Sequence, residues 1–116
     1  MIIHVVGARP NFMKLGPLVR SLNEKGIESK ICLTGQHYDY NMTTIFQDEL
    51  GLPTPNWNLN IMGGSHAQQT AKIMIAFEEL LLTEQPNAIV VYGDVNSTLA
   101  AVLVAKKLHI AVIHVE

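Results

Sequence analysis

The sequence predicts an α/β domain built on a doubly wound, Rossmann-like parallel sheet with helices on both faces. The first indication is the alternation of short β-branched runs with longer segments of helical periodicity along all 116 residues. The second is the stretch from Val90 to Thr98, where an apolar strand stops at a glycine, presents one carboxylate and turns into a helix. A strand that feeds a helix in this way requires crossover connections between parallel strands.

Composition excludes several classes of protein. Apolar residues make up 48% of the chain and charged residues 16%, which excludes a disordered chain. The net charge of −2 provides no basic surface for nucleic acid, and no apolar run approaches the ~20 residues of a membrane span. We therefore expect neither nucleic acid nor a membrane as partner. The single Cys32 and the lack of a secretion signal predict a cytoplasmic location.

The first half of the chain is predicted to hold three strands and two helices, at 2–6, 12–25, 27–34, 38–50 and 57–61. Pro17 lies awkwardly in the first helix, so this helix either starts late or bends there. Gly26 is expected to end the helix as the residue after its C-cap.

The second half is predicted to alternate helix and strand, at 66–83, 88–92, 98–108 and 111–115. Ser65 is the expected N-cap of the first of these helices. The expected core stripe of this helix consists of Ala67, Ala71, Met74, Phe77 and Leu81. The helix at 98–108 is apolar nearly all round, which predicts deep burial. The chain stops at Glu116, where a parallel strand normally feeds a further loop, so the sequence is expected to be cut at this point.

Ligands of such sheets bind at the carboxyl ends of the strands, where the winding reverses. The usual strand order places the first strand beside the strand at 88–92. We therefore expect a crevice between residues 7–11 and residues 93–98. Asp94 is the first candidate for chemistry there, although one of Asp94, Asn96 and Ser97 is also expected to cap the following helix.

Two cations follow the first strand, Arg9 and Lys14. Cations are unfavourable at a helix N-terminus, so their presence there favours an anionic ligand such as a diphosphate over solvated surface charges. Gly7 alone does not make a dinucleotide-binding glycine loop, and no P-loop is present. The sequence thus predicts no nucleotide cofactor.

Glu116 ends the last strand in the same layer as Asp94, and two carboxylates at one crevice can serve as general acid and general base. A chance placement of Glu116 is the alternative. His37 falls in the same layer, and His114 is expected to be structural. The spacing of Cys and His matches no metal site.

Several motifs together resemble the non-hydrolysing UDP-N-acetylglucosamine 2-epimerases, although each is weak alone. They are Val6-Gly7-Ala8-Arg9-Pro10 with Lys14 and Pro17-Leu18, Gln36-His37, Leu59-Asn60-Ile61-Met62, Gly93-Asp94-Val95-Asn96-Ser97-Thr98 and His114-Val115-Glu116. The resemblance covers the amino-terminal part of that family, whose members are longer. They have two Rossmann-like domains of the glycosyltransferase-B type, and their His-Val-Glu continues as Ala-Gly-Leu-Arg.

The resemblance implies interconversion of UDP-N-acetylglucosamine and UDP-N-acetylmannosamine, a precursor supply for cell-surface polysaccharide. The implied route removes the C2 proton with loss of UDP, then adds UDP again after protonation from the other face. Arg9 and Lys14 would bind the UDP phosphates, and Asp94 and Glu116 would be the catalytic carboxylates. No cofactor or metal is implied, and full-length members are commonly homodimers.

Gln36 and His37 match the loop near which some bacterial members bind a second UDP-N-acetylglucosamine as activator. The implied role is a substrate or activator contact, although the following Tyr38-Asp39 departs from the common Arg-Glu or Arg-Gln. The first motif also departs, since Gly-Thr-Arg-Pro-Glu-Ala is common in the family, and related epimerases act on other UDP-sugars.

The chain 1–116 is therefore expected to be one truncated amino-terminal Rossmann-like domain that is inactive alone. The alternatives are a non-catalytic domain that binds an anion or UDP or self-associates, and part of a glycosyltransferase of the same architecture.

Overall fold

The computed structural model describes residues 1–7, 12–35 and 51–116, and its strands and helices form one layered α/β unit. Its strands are β1 (Ile2–Val6), β2 (Ser29–Gly35), β3 (Trp57–Ile61), β4 (Ala88–Tyr92) and β5 (Ala111–Val115). Its helices are α1 (Phe12–Glu24), α2 (His66–Glu84) and α3 (Asn96–Lys107). The helix predicted at 38–50 lies outside the described residues.

The five strands form one sheet in the order β3-β2-β1-β4-β5, and every neighbouring pair is parallel. The predicted fold class is confirmed, including the position of β1 beside β4. The chain winds outward from β1 to β3 on one side, then crosses over through α2 to β4 on the other. The winding therefore reverses between β1 and β4, which is where ligands of such sheets bind.

The core lies on both faces of the sheet, because alternate strand residues point in opposite directions. Ile3 and Val5 of β1 pack with Phe77 of α2 and Ala101 of α3 on one face. On the other face, Val6 packs with residues of α1, β2 and β4. The central strands β1, β2 and β4 are thus buried on both sides, whereas the edge strands β3 and β5 are partly exposed.

Helix α1 contains Pro17, so the helix begins well before its proline rather than after it. The predicted end at Gly26 is confirmed, since this residue has a φ of 73° and its N–H donates to Asn23. The Ile27 N–H donates to Leu22, which completes a Schellman arrangement.

The amino-terminal half of the expected core stripe of α2 is wrong. Its buried residues are Ile73, Phe77 and Leu81, whereas Ala67 and Ala71 are exposed. Ala71 lies two residues, or about 200°, from the buried Ile73 and so faces solvent, and the helix is also longer than the strand: 19 helical residues span about 28 Å and the five residues of β4 about 16 Å. The first turns of α2 therefore extend beyond the carboxyl edge of the sheet.

Deep burial all round α3 is also wrong. Ala100, Ala101, Val104 and Ala105 are buried against the sheet and α2, but Leu99 is 56% exposed. The face of α3 that contacts the core carries mainly alanine, together with Val104, and Val102 packs against its edge. In the described ranges, no helix has the length and apolarity needed to cross a bilayer.

Candidate active site

A crevice of about 430 Å³ opens at the carboxyl edge of the sheet, between the starts of α2 and α3. Gly7, Thr34 and Gly35, at the ends of β1 and β2, line it from the sheet side. The start of α2 and the segment 94–97 line the rest. Of the expected crevice, Gly7 and residues 94–97 do border this opening, whereas residues 8–11 of the expected wall lie outside the described residues.

Gly7 is a glycine because the end of β1 passes against the start of α3. A Cβ at this position would lie 2.7 Å from Cβ of Ser97 and 2.9 Å from Oγ1 of Thr34. A Cβ atom cannot approach another Cβ so closely without a backbone shift. The absence of this side chain lets three elements meet at the floor of the crevice.

The turn that carries Asp94 is held by three hydrogen bonds. The N–H of Gly93, at a φ of 69°, donates to the carbonyl of Val115 at 3.0 Å. His114 Nε2 lies 2.7 Å from the Gly93 carbonyl, which can only accept, so Nε2 carries the proton. Thr98 Oγ1 donates to the Tyr92 carbonyl at 2.8 Å. His114 is thus structural, as expected, and Asp94 is presented to solvent on a fixed turn.

The expectation that Asp94, Asn96 or Ser97 caps α3 is wrong. Val95 is the N-cap residue, and no side chain caps the helix. The carboxylate of Asp94 and the hydroxyl of Ser97 therefore do not cap α3.

The amide of Asn96 is used in a hydrogen-bond chain across the crevice rim instead. Its Nδ2 lies 3.0 Å from Nδ1 of His66 and donates to Oε1 of Gln69 at 3.1 Å. Gln69 Nε2 donates to the Gly64 carbonyl at 3.4 Å. The Gly64 carbonyl can only accept, so the Gln69 amide turns its Nε2 to Gly64 and its Oε1 to Asn96. Asn96 Nδ2 therefore donates to Gln69, and the same NH2 group donates to His66, whose Nδ1 accepts. Sequence reasoning found no partner for His66, since this pairing joins residues 30 positions apart.

The other predicted site residues lie at the same edge of the sheet or outside the described residues. Lys14 is exposed in the first turn of α1, which follows the carboxyl end of β1. Glu116 is exposed directly after β5, where Val115 pairs with Tyr92. Neither borders the crevice measured above. Arg9, Gln36 and His37 lie outside the described residues, so the assembly of this site stays a prediction.

A buried polar pair lies deeper, on the α1 face of the sheet. His4 is fully buried, and its Nδ1 is 2.8 Å from the hydroxyl oxygen of Tyr92. Its buried Nε2 has no hydrogen-bond partner among the described residues. Burial lowers the pKa of His4 to about 4, because the imidazolium would hold an unpaired N–H in the core. This histidine is neutral at pH 7.

Burial also raises the pKa of the Cys32 thiol to about 12, so it is not a nucleophile near neutral pH. Across the described ranges, His, Cys, Asp and Glu form no group of three that could hold a metal ion.

Comparisons with known proteins agree with this architecture. A family model described as UDP-N-acetylglucosamine 2-epimerase matches residues 20–116. A UDP-N-acetylglucosamine 2-epimerase homolog of Methanococcus maripaludis is 50% identical over 99% of this chain, which covers 32% of that relative. The UDP-2,3-diacetamido-2,3-dideoxy-D-glucuronate 2-epimerase of Pseudomonas aeruginosa is 43% identical, again over 99% of this chain and 33% of the relative.

Among solved structures, Methanocaldococcus jannaschii UDP-GlcNAc 2-epimerase in complex with UDP-GlcNAc and UDP superimposes with a TM-score of 0.91. It is 48% identical, and the match covers 99% of this chain and 32% of that one. The chain thus spans about a third of the length of the relatives it matches. Family model, sequence identity and superposition all lead to one assignment: the chain belongs to the UDP-N-acetylglucosamine 2-epimerase family.

Proposed function

We propose that this chain forms the amino-terminal part of an enzyme that interconverts UDP-N-acetylglucosamine and UDP-N-acetylmannosamine. The observation that carries the proposal is the exposed Asp94, held on a fixed turn at the border of a crevice at the switch point. A carboxylate that neither caps a helix nor forms an ion pair in the described structure is free to act on a ligand.

The proposed reaction has two carboxylates in acid and base roles. One of Asp94 and Glu116 removes the C2 proton, the C2–H electrons form the C1–C2 double bond, and the C1–O bond breaks to release UDP. A proton then adds to C2 from the opposite face, the double-bond electrons form the new C2–H bond, and the UDP oxygen adds back to C1 on the face from which it left. The two groups need different protonation states at one time, which an environment that separates their pKa values can supply.

Cations are proposed to hold the leaving group. Arg9 and Lys14 follow β1, and opposite charge on the diphosphate stabilises UDP as it departs. Gln36 and His37 are proposed to contact the substrate or an activator.

The whole protein is proposed to contain a second domain of the glycosyltransferase-B type that closes over this one, with residues 1–116 as the first domain. The coverage of about a third of each relative supports this proposal. The second wall of the cleft would exclude water and supply further groups, so the 116-residue chain alone is expected to be inactive.

The test is conversion of UDP-N-acetylglucosamine in D2O by the whole protein, followed by NMR for deuterium at C2. Asp94→Asn and Glu116→Gln should each lower the rate by ~10²-fold or more, since each removes a general acid or base. Glu79→Gln, which neutralises an exposed carboxylate on α2, is the matched control and should retain full activity. Full activity of both site variants would contradict the proposed roles, and turnover by the 116-residue chain would contradict the need for a second domain.

Two competing functions predict different results in activity and binding assays. Sugar transfer to an acceptor, without epimerisation, would indicate a glycosyltransferase. A chain without turnover in any context, whose UDP affinity is unchanged by Arg9→Ala, would indicate a binding or self-associating domain.

The Pseudomonas relative, 43% identical, provides a second candidate substrate, a UDP-linked diacetamido-glucuronate. Parallel assays on this sugar and on UDP-N-acetylglucosamine would separate the two candidates. We also propose a cytoplasmic homodimer for the whole protein, to be tested by cell fractionation and light scattering. The buried, free Cys32 supports a reducing compartment.

A further inference from the structure

Two nearly buried residues present hydroxyl groups at the floor of the crevice. Thr34 is 1% exposed and Ser97 is 4% exposed, and both border the crevice. Their side chains form no hydrogen bond in the described structure. Hydroxyl groups of such buried residues normally bond within the protein, so this pair remains open to a ligand in the crevice. Both lie beside Gly7, where a Cβ would touch each of them.

The start of α3 meets these hydroxyls at the same place. Helix α3 has 12 residues, no side-chain cap and no acidic residue in its first turn. As at helix starts in general, the first N–H groups of α3, those of Asn96 and Ser97, have no acceptor within the described ranges, and the first bonded one is Thr98 N–H to the Val95 carbonyl. A helix start with unsatisfied N–H groups carries a positive partial charge. At the start of α2, by contrast, a capping box gives acceptors to the N–H groups of Ser65 and Gln68.

We propose that Thr34, Ser97 and the first N–H groups of α3 form an oxyanion subsite at the floor of the crevice. The subsite would take a charged oxygen of the nucleotide-sugar, either from the diphosphate or from a carboxylate on the sugar. The proposal deepens the nucleotide-sugar function above and rests on it.

The hydrogen-bond donors at this place favour an anionic oxygen as the ligand. Two N–H groups can only donate, and two hydroxyls can rotate to donate in the same direction. A negatively charged oxygen accepts several such bonds and gains from the helix dipole, whereas a cation would face the positive end of α3. Asp94 is the charged group nearest in sequence and borders the same crevice, and His66 borders it from α2. The subsite would thus hold an oxygen of the ligand at its floor while Asp94 meets the ligand at the rim.

The test follows the backbone amides of Asn96 and Ser97 by NMR in the 116-residue chain. The probes are UDP, UDP-glucose and UDP-glucuronic acid, each titrated into the millimolar range. Shifts of these amides with all three probes would assign the diphosphate as the source of the oxygen. Shifts with UDP-glucuronic acid alone would assign a sugar carboxylate. If none of the probes shifts either amide, the proposal is overturned.

The variants Thr34→Val and Ser97→Ala each remove one hydroxyl. Each should weaken the binding seen at the Asn96 amide by roughly tenfold, as expected for one hydrogen bond to a charged oxygen. Neither variant breaks a hydrogen bond within the described structure, so the midpoint of urea unfolding should not fall. Weaker binding with undiminished stability separates a ligand contact from a structural role. Affinities equal to that of the unaltered chain would overturn the subsite.

Ser29→Ala is the matched control. Ser29 also lies on β2 and has a buried, unpartnered hydroxyl, but at the amino end of the strand, away from the crevice. Its removal should leave the affinity unchanged. Failure of this proposal is distinguishable from failure of the enzyme assignment. If Thr34→Val and Ser97→Ala bind the probes with the affinity of the unaltered chain, only the subsite is contradicted. The D2O assay tests the epimerase activity independently.

Discussion

Acid should destabilise this fold through one histidine, His4. Its ring is fully buried on the α1 face of the sheet, and only Nδ1 has a partner, the Tyr92 hydroxyl. Protonation would place a second N–H, on Nε2, in the core with no acceptor. Burial therefore lowers the pKa of His4 to about 4 in the folded chain, from 6.5 for an unperturbed histidine.

The direction of the effect follows from proton binding. Between pH 6.5 and about 4, the unfolded chain binds a proton at His4 and the folded chain does not. The free energy of unfolding is therefore highest above pH 6.5 and falls as the pH is lowered. At ~1.36 kcal/mol for each unit of pKa difference, the loss is about 2 kcal/mol at pH 5 and about 3 kcal/mol once His4 is protonated in both states. Such a loss is a large part of the 5–15 kcal/mol that holds an ordinary domain folded.

The assay is urea unfolding at pH 7 and at pH 5. His4→Leu and His4→Gln both remove the titrating group, and Gln retains a side chain that can bond to Tyr92. The loss of stability between the two pH values should shrink by about 2 kcal/mol in either variant. His109→Asn is the control, because His109 is exposed and Asn tolerates its φ of 60°. An equal loss in the parent chain and in both His4 variants would refute the reasoning.

Three further changes test the packing of the fold by urea unfolding. Gly7→Ala should cost about 2 kcal/mol, since its Cβ would lie 2.7 Å from Cβ of Ser97, and an unchanged midpoint would contradict that close approach. Ser65→Ala should cost about 1 kcal/mol through loss of the α2 capping box, and a neutral result would show that the first turn does not depend on it. Lys30→Met should cost no more than ~1 kcal/mol, because the Lys30–Glu84 pair is 3.8 Å apart and partly exposed. That cost should shrink in high salt, and a salt-independent cost would point to lost packing on Trp57 instead.

Local physical chemistry was sufficient for most of the secondary structure and for the order of the described strands. Ser65 followed by Gln68 three residues later identifies a helix start, and the capping box is present. Gly26 after a helical pattern identifies a helix end, since a residue without Cβ adopts the left-handed backbone at no steric cost. The position of β1 beside β4 follows from general winding rules for parallel strands. Asp94 at the carboxyl end of a strand could be singled out for the same reason.

What the tertiary structure decided are the pairs of side chains that meet across the fold. His4 bonds to Tyr92 across 88 positions and His66 to Asn96 across 30, and no local pattern encodes either contact. The overhang of α2 could not be read from its periodicity, because it depends on the length of the strands beneath it. Ser97 has the residue type of a helix cap, yet the approach of β1 turns it into part of a crevice floor. Sequence determines the backbone preference and the face of each residue, whereas the neighbours of a side chain depend on how distant segments pack.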